Sequence, residues 1–75
     1  MNAWNLQQNQ SGKIICFNES TKAIVKRLED LGFTQGEIIS CLKYSPFNGP
    51  RVYKNSHSIF ILEEEVAKLI EVQIL

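Results

Sequence analysis

The sequence predicts a mainly β fold with short helices, a small and partly open β-barrel in the order β-α-β-β-β-α-β. Short apolar runs, several of them β-branched, alternate with turn residues along the chain. Two further segments, residues 21–31 and the segment that starts at Glu63, carry apolar residues three or four positions apart, as in a helix. A curled sheet hides most of its edges, as a soluble chain of 75 residues requires. We expect one domain over residues 1–75.

The N-terminal part predicts a lead-in and one strand. Residues 1–12 are mostly polar and are expected to be loosely held, ending in a turn at Ser11 and Gly12. Within them, Leu6 is a candidate to dock on the core, and Trp4 either docks or faces a partner. Residues 13–17, Lys-Ile-Ile-Cys-Phe, are short, apolar and partly β-branched, which is typical of a strand.

The first helix is predicted over residues 21–31. Residues 18–21, Asn-Glu-Ser-Thr, are rich in the types that cap helix N-termini. Ile24, Leu28 and Leu31 then form one apolar stripe of a 3.6-residue repeat, which Val25 widens. Gly32 follows where the backbone favours a positive φ, so it ends the helix.

The remaining elements follow in short pieces. Residues 37–44 predict a strand, and a loop stiffened by Pro46 and Pro50 comes next. Residues 51–54 and 58–62 predict a hairpin with its turn at 55–57. A short helix starts at Glu63, and residues 71–74 predict the last strand. This order is typical of the SH3-like kind of barrel.

Composition and size argue against several classes of function. Eight Lys and Arg balance eight Asp and Glu, whereas nucleic-acid binding depends on a basic surplus. A chain this short has little room for a catalytic cleft, so we expect no enzyme. The N-terminus does not resemble a signal peptide, and no apolar run reaches the ~20 residues of a membrane span. A cytoplasmic protein without membrane insertion is predicted.

Two cysteines and one histidine are the candidate metal ligands. Cys16 and Cys41 lie in apolar strands and are expected to pack as small hydrophobic residues, with a disulfide or a metal role as alternatives. His57 is expected to be a solvated turn residue. If the barrel brought the three together, they would prefer zinc or copper to ferrous iron. A metal sensor is therefore an alternative function, and a nucleic-acid-binding barrel is a weaker one.

Two surfaces are candidates for partner binding. Phe47 at the tip of the proline-bracketed loop either folds over the barrel end or stands out as an apolar anchor. Three neighbours on that loop complete the first candidate surface: Tyr44, Pro46 and Asn48. The basic side of the first helix is the second candidate surface, formed by Lys22, Lys26 and Arg27.

An ordered set of motifs resembles the FeoA family of bacterial ferrous iron uptake. Residues 27–36 read Arg-Leu-Glu-Asp-Leu-Gly-Phe-Thr-Gln-Gly, close to the family's run before its central strand. Residues 45–50, Ser-Pro-Phe-Asn-Gly-Pro, resemble its loop, and residues 64–67, Glu-Glu-Val-Ala, its short helix. The sequence departs from the family pattern at Gln35, Asn48, Ser56 and Leu62.

The resemblance implies an SH3-like barrel that works by binding. The implied partner is a FeoB-like membrane iron transporter, whose cytosolic region such a protein binds to modulate transport. The resemblance also implies weak binding of ferrous iron or another divalent transition metal, with no firm cofactor. The family domain further occurs as the C-terminal module of iron-dependent repressors.

Overall fold

The computed structural model describes residues 1–18 and 22–75. One sheet of five antiparallel strands has the order β4-β3-β2-β1-β5. The strands are β1 Ser11–Phe17, β2 Ile38–Lys43, β3 Arg51–Lys54, β4 Ile59–Leu62 and β5 Ile70–Ile74. The helices are α1 Lys22–Asp30 and α2 Glu64–Ala67, with single 3-10 turns at Ala3–Asn5 and Pro46–Asn48. The predicted mainly β fold is confirmed, and β4 and β5 are the two edge strands of a sheet that is not closed.

The first strand is longer than predicted. The turn expected at Ser11 and Gly12 is wrong, because both residues belong to β1. Gly12 lies opposite Ile39 on one side and Ile74 on the other. A Cβ atom at Gly12 would lie 3.1 Å from the side chain of Val72, so the glycine permits close packing rather than a turn.

Helix α1 packs against the sheet mainly through Leu28, which is buried. The other two members of the predicted stripe, Ile24 and Leu31, are 41% and 39% exposed because they line an open groove beside β4. Gly32 ends the helix with φ +97°, as predicted. Most of the predicted capping run, residues 19–21, lies outside the described residues.

The core is apolar and includes residues from the N-terminal segment. Ala3 and Leu6 are fully buried, so residues 1–12 are not the loosely held lead-in that was expected. Tyr53 donates a hydrogen bond from its hydroxyl to the Ala3 carbonyl at 3.0 Å, and Tyr44 does so to the Leu6 carbonyl at 3.1 Å. The other buried apolar residues are Ile14, Leu28, Phe33, Ile39, Cys41, Leu62, Ala67, Ile70 and Val72.

The two cysteines lie in different surroundings. Cys41 is buried, as predicted, but Cys16 is exposed. The register of β1 against β5 shifts between Ile14 and Cys16, and this bulge interrupts the alternation of inward and outward side chains. Ile15 and Cys16 therefore both face outward, which the apolar sequence alone does not indicate.

Candidate partner-binding surface

The loop between β2 and β3 is a short, rigid turn. Pro46 opens it and fixes one φ angle, and the Gly49 N–H donates a hydrogen bond to the Pro46 carbonyl at 3.1 Å. Phe47 and Asn48 both have left-handed backbones, with φ values of 58° and 57°. Gly49, by contrast, has a φ of −71°, so the left-handed positions precede the glycine. An aromatic residue at such a position is uncommon.

The side chain of Phe47 stands fully in solvent. Its relative accessible surface is 102%, so it does not fold over the barrel end as core. Pro46 and Asn48 beside it are also exposed. An aromatic ring on a stiff loop is suited to binding, because little conformational entropy is lost when a partner covers it.

Arg51 directly follows this loop and contacts the N-terminal segment. Its guanidinium carbon lies 3.7 Å from the centre of the Trp4 ring and 4.0 Å from that of Tyr44. One guanidinium N–H also donates to the Trp4 carbonyl oxygen. The sequence predicted Tyr44 as a surface residue, and it is 37% exposed. Sequence reasoning missed Arg51, because no local pattern joins it to a ring so far away in the chain.

The buried titratable groups next to this surface are neutral at pH 7. Burial raises the pKa of the Cys41 thiol, and the nearby Arg51 cation opposes that shift. Burial also raises the pKa of Tyr53 to about 12, with a smaller contribution from Cys41. Both shifts therefore favour the protonated, uncharged forms of these groups.

The basic side of α1 forms a separate surface. Lys22, Lys26 and Arg27 are all exposed, as the sequence predicted. The Lys26 ammonium lies 3.9 Å from the Asp30 carboxylate, so part of its charge is balanced on the helix. Within residues 1–18 and 22–75, no hydrogen bond or ion pair connects these cations to the loop around Phe47.

The candidate metal ligands are not brought together. Cys41 is buried in the core, Cys16 faces solvent, and His57 lies in the exposed turn between β3 and β4. Among the described residues, no three His, Cys, Asp or Glu side chains are placed to hold one ion. No helix in the described part of the chain is both long and apolar enough to cross a membrane.

Comparison with known proteins identifies relatives over the whole chain. A family model described as the FeoA domain matches residues 1–74. FeoA of Stenotrophomonas maltophilia is 25% identical with a TM-score of 0.85, over 97% of this chain and 89% of that protein. That protein was crystallised with zinc and is described as an SH3 domain protein and a candidate activating factor of ferrous iron transport. The SH3-like barrel predicted from the sequence is confirmed.

Two further solved structures have the same fold. Iron(II) transport protein A of Clostridium thermocellum is 27% identical with a TM-score of 0.90, over 100% of this chain and 46% of that one. The FeoA protein of Chlorobium tepidum is 23% identical with a TM-score of 0.90, over 100% of this chain and 70% of that one. A search of curated protein sequences found no match.

Proposed function

The chain belongs to the FeoA family, and on this basis we propose that it is a non-enzymatic accessory protein of bacterial ferrous iron uptake. It binds the cytosolic region of a FeoB-like transporter and modulates transport, with iron as the transported ion. The observation that carries this proposal is the fully exposed Phe47 on a rigid loop between two prolines.

The loop surface, formed by Tyr44, Pro46, Phe47 and Asn48, is the main contact in this proposal. A partner that covers the Phe47 ring removes a large apolar surface from water without having to order the loop. The basic residues Lys22, Lys26 and Arg27 are the second contact. They attract an acidic partner surface and mainly increase the association rate.

The proposal is tested by calorimetric titration of this protein with the soluble cytosolic region of a FeoB-like transporter from the same source. The wild-type protein should bind, and Phe47→Ala should weaken binding by about 2 kcal/mol or more, as expected for an aromatic anchor. The fold of this variant should be unchanged, because the ring contacts no core residue.

Ile38→Ala is the matched control. Ile38 is an exposed apolar residue, 49% accessible, at the end of β2 that lies away from the loop. Its removal should leave transporter binding unchanged. Equal weakening by both variants, or unfolding of Phe47→Ala, would contradict the assignment of the loop surface.

The same titration with and without ferrous iron tests the role of metal. The zinc complex of the Stenotrophomonas maltophilia relative supports weak binding of a divalent transition metal by this chain. A change in transporter affinity with iron would make metal part of the signal. Absence of transporter binding, together with saturable iron uptake by this chain alone, would instead favour a metal sensor.

A further inference from the structure

The two edges of the sheet differ in how they are covered. Beside β5, Asn2 forms a bridge with Glu71, and the Val72 N–H donates to the Met1 carbonyl at 2.8 Å. Residues 1 and 2 therefore cover that edge. Strand β4 lies at the opposite edge, and within the described ranges no strand pairs with its outer side.

Strand β4 is short, but it lacks the charged residues and the proline that often protect an exposed edge. Its sequence is Ile-Phe-Ile-Leu. Ile59 and Ile61 face outward and are 65% and 70% exposed, while Leu62 is buried. Phe60 faces inward against Phe33, with ring centres 4.9 Å apart. A groove of about 610 Å³ lies between α1 and β4.

We propose that β4 is a self-association edge, where β4 of a second copy of this chain adds in antiparallel orientation. A two-fold axis perpendicular to the sheet passes beside Phe60 and relates the two copies. Their two sheets then form one continuous sheet. Phe60 then lies opposite Phe60 of the partner subunit, and Ile59 lies opposite Ile61 of the partner subunit. The exposed isoleucines of both copies cover one another on the same face, which removes their apolar surface from water.

Polar side chains at the two ends of β4 favour this register. It places the exposed His57 imidazole of each copy opposite the exposed Glu63 carboxylate of the partner subunit, and an imidazole N–H can donate a hydrogen bond to that carboxylate. In the alternative two-fold register, Ile61 lies opposite Ile61 of the partner subunit. That register would place Ile59 opposite Glu63 of the partner subunit. A carboxylate opposite an isoleucine is poorly matched, so the first register is preferred.

The turn that carries His57 is fixed in position. The Asn55 side-chain oxygen accepts hydrogen bonds from the N–H groups of His57 and Ser58, at 2.8 Å and 2.9 Å. The Asn55 amide in turn donates to the Leu31 carbonyl at 3.3 Å. The backbone of this turn is therefore already ordered when His57 meets the partner. A four-residue edge buries less area than a standard interface, so the dimer is weak and forms at high protein concentration.

Sedimentation equilibrium of the full chain, from micromolar to millimolar protein, tests the proposal. The wild-type protein should show a monomer–dimer equilibrium, and Ile61→Lys should weaken it about tenfold or more, because a charge would oppose the partner strand. Ile38→Lys is the control, since Ile38 is an exposed isoleucine on β2, two strands away from this edge. A wild-type monomer at every concentration, or equal effects of both variants, would overturn the proposal.

Cysteine cross-linking tests the register. In a Cys16→Ser background, Ile59→Cys and Ile61→Cys are mixed and oxidised. Opposite residues of an antiparallel pair have Cα atoms about 4.5–5.5 Å apart, within the range that a disulfide spans. The mixed disulfide should exceed either self-linked product, and dominant self-linking of Ile59→Cys would contradict the register. Phe47 lies outside β4, so the β4 variants should still bind the transporter. Transporter binding without dimer formation would contradict only the self-association proposal, whereas absence of transporter binding by the wild-type protein would contradict the proposed function.

Discussion

The guanidinium carbon of Arg51 lies 3.7 Å from the centre of the Trp4 ring. The same group donates a hydrogen bond to the Trp4 carbonyl, and its carbon lies 4.0 Å from the centre of the Tyr44 ring. Arg51 belongs to β3 and Tyr44 directly follows β2, so one cation in contact with two rings joins the N-terminal segment to both strands. This contact also forms the base of the loop that presents Phe47.

Arg51→Ala should lower the free energy of unfolding by about 2 kcal/mol. The variant loses a cation–π contact of about 1 kcal/mol and a charge-assisted hydrogen bond of similar size. Urea denaturation measures the loss. Lys54→Ala, an exposed cation on the same strand, should change stability by less than about 0.5 kcal/mol. If both variants had the same small effect, the stacked cation would contribute nothing to stability.

Tyr53→Phe should lose about 1–2 kcal/mol at neutral pH, because the Ala3 carbonyl would lose its buried donor. The size of this loss should depend on pH. Burial raises the pKa of Tyr53 to about 12, whereas the unfolded chain releases that proton near pH 10. Stabilisation from the neutral phenol is thus complete below about pH 10 and is lost as pH rises towards about 12.

The measurement is urea denaturation of wild-type protein and Tyr53→Phe at several pH values across that window. The difference in stability between the two should narrow as pH rises, since phenylalanine does not titrate. Contributions from groups that the two proteins share cancel in the difference. A constant difference would mean that Tyr53 has an ordinary pKa.

Sequence reasoning succeeded where structure depends on neighbouring residues. The strand at residues 51–54 and the helix stop at Gly32 follow from local turn and capping signals, and both are observed. It failed where distant residues decide the outcome. Tyr53 and Arg51 fix the N-terminal segment, yet nothing in residues 1–12 indicates that these partners exist. The exposure of Cys16 likewise depends on a bulge against β5.

The sequence also predicted only part of the candidate partner-binding surface. The prolines and the resemblance to the FeoA family placed the loop, but the sequence left open whether Phe47 packs or protrudes. The left-handed φ values of Phe47 and Asn48 turn the ring away from the barrel, and such angles depend on how β2 and β3 approach the turn. Local propensity favours glycine there and would not place an aromatic residue.

Gly32→Ala and Gly36→Ala should destabilise the protein unequally. Both glycines have left-handed backbones, with φ of +97° and +89°, so each alanine has a strain of about 1 kcal/mol. At Gly36 a Cβ atom meets nothing within 4 Å. At Gly32 it would lie 2.8 Å from the Asn55 amide nitrogen.

That amide nitrogen donates to the Leu31 carbonyl, so moving it breaks a hydrogen bond worth about another 1 kcal/mol. Gly32→Ala should therefore lose about 2 kcal/mol, roughly twice the loss of Gly36→Ala. Thermal or urea unfolding of the two variants gives the comparison. Equal losses would show that Asn55 moves aside without cost.

Phe47→Gly should be more stable than Phe47→Ala by about 1 kcal/mol, because only glycine adopts a φ near 58° without strain. Neither variant loses buried surface, since the wild-type ring is fully exposed. Urea denaturation measures this difference, and calorimetric titration with the transporter's cytosolic region should show weak binding for both. Retained binding by either variant would mean that the ring is not the anchor. A gain in stability coupled to a loss of binding would show that the strain at Phe47 is retained for recognition, since nothing in the fold needs the ring.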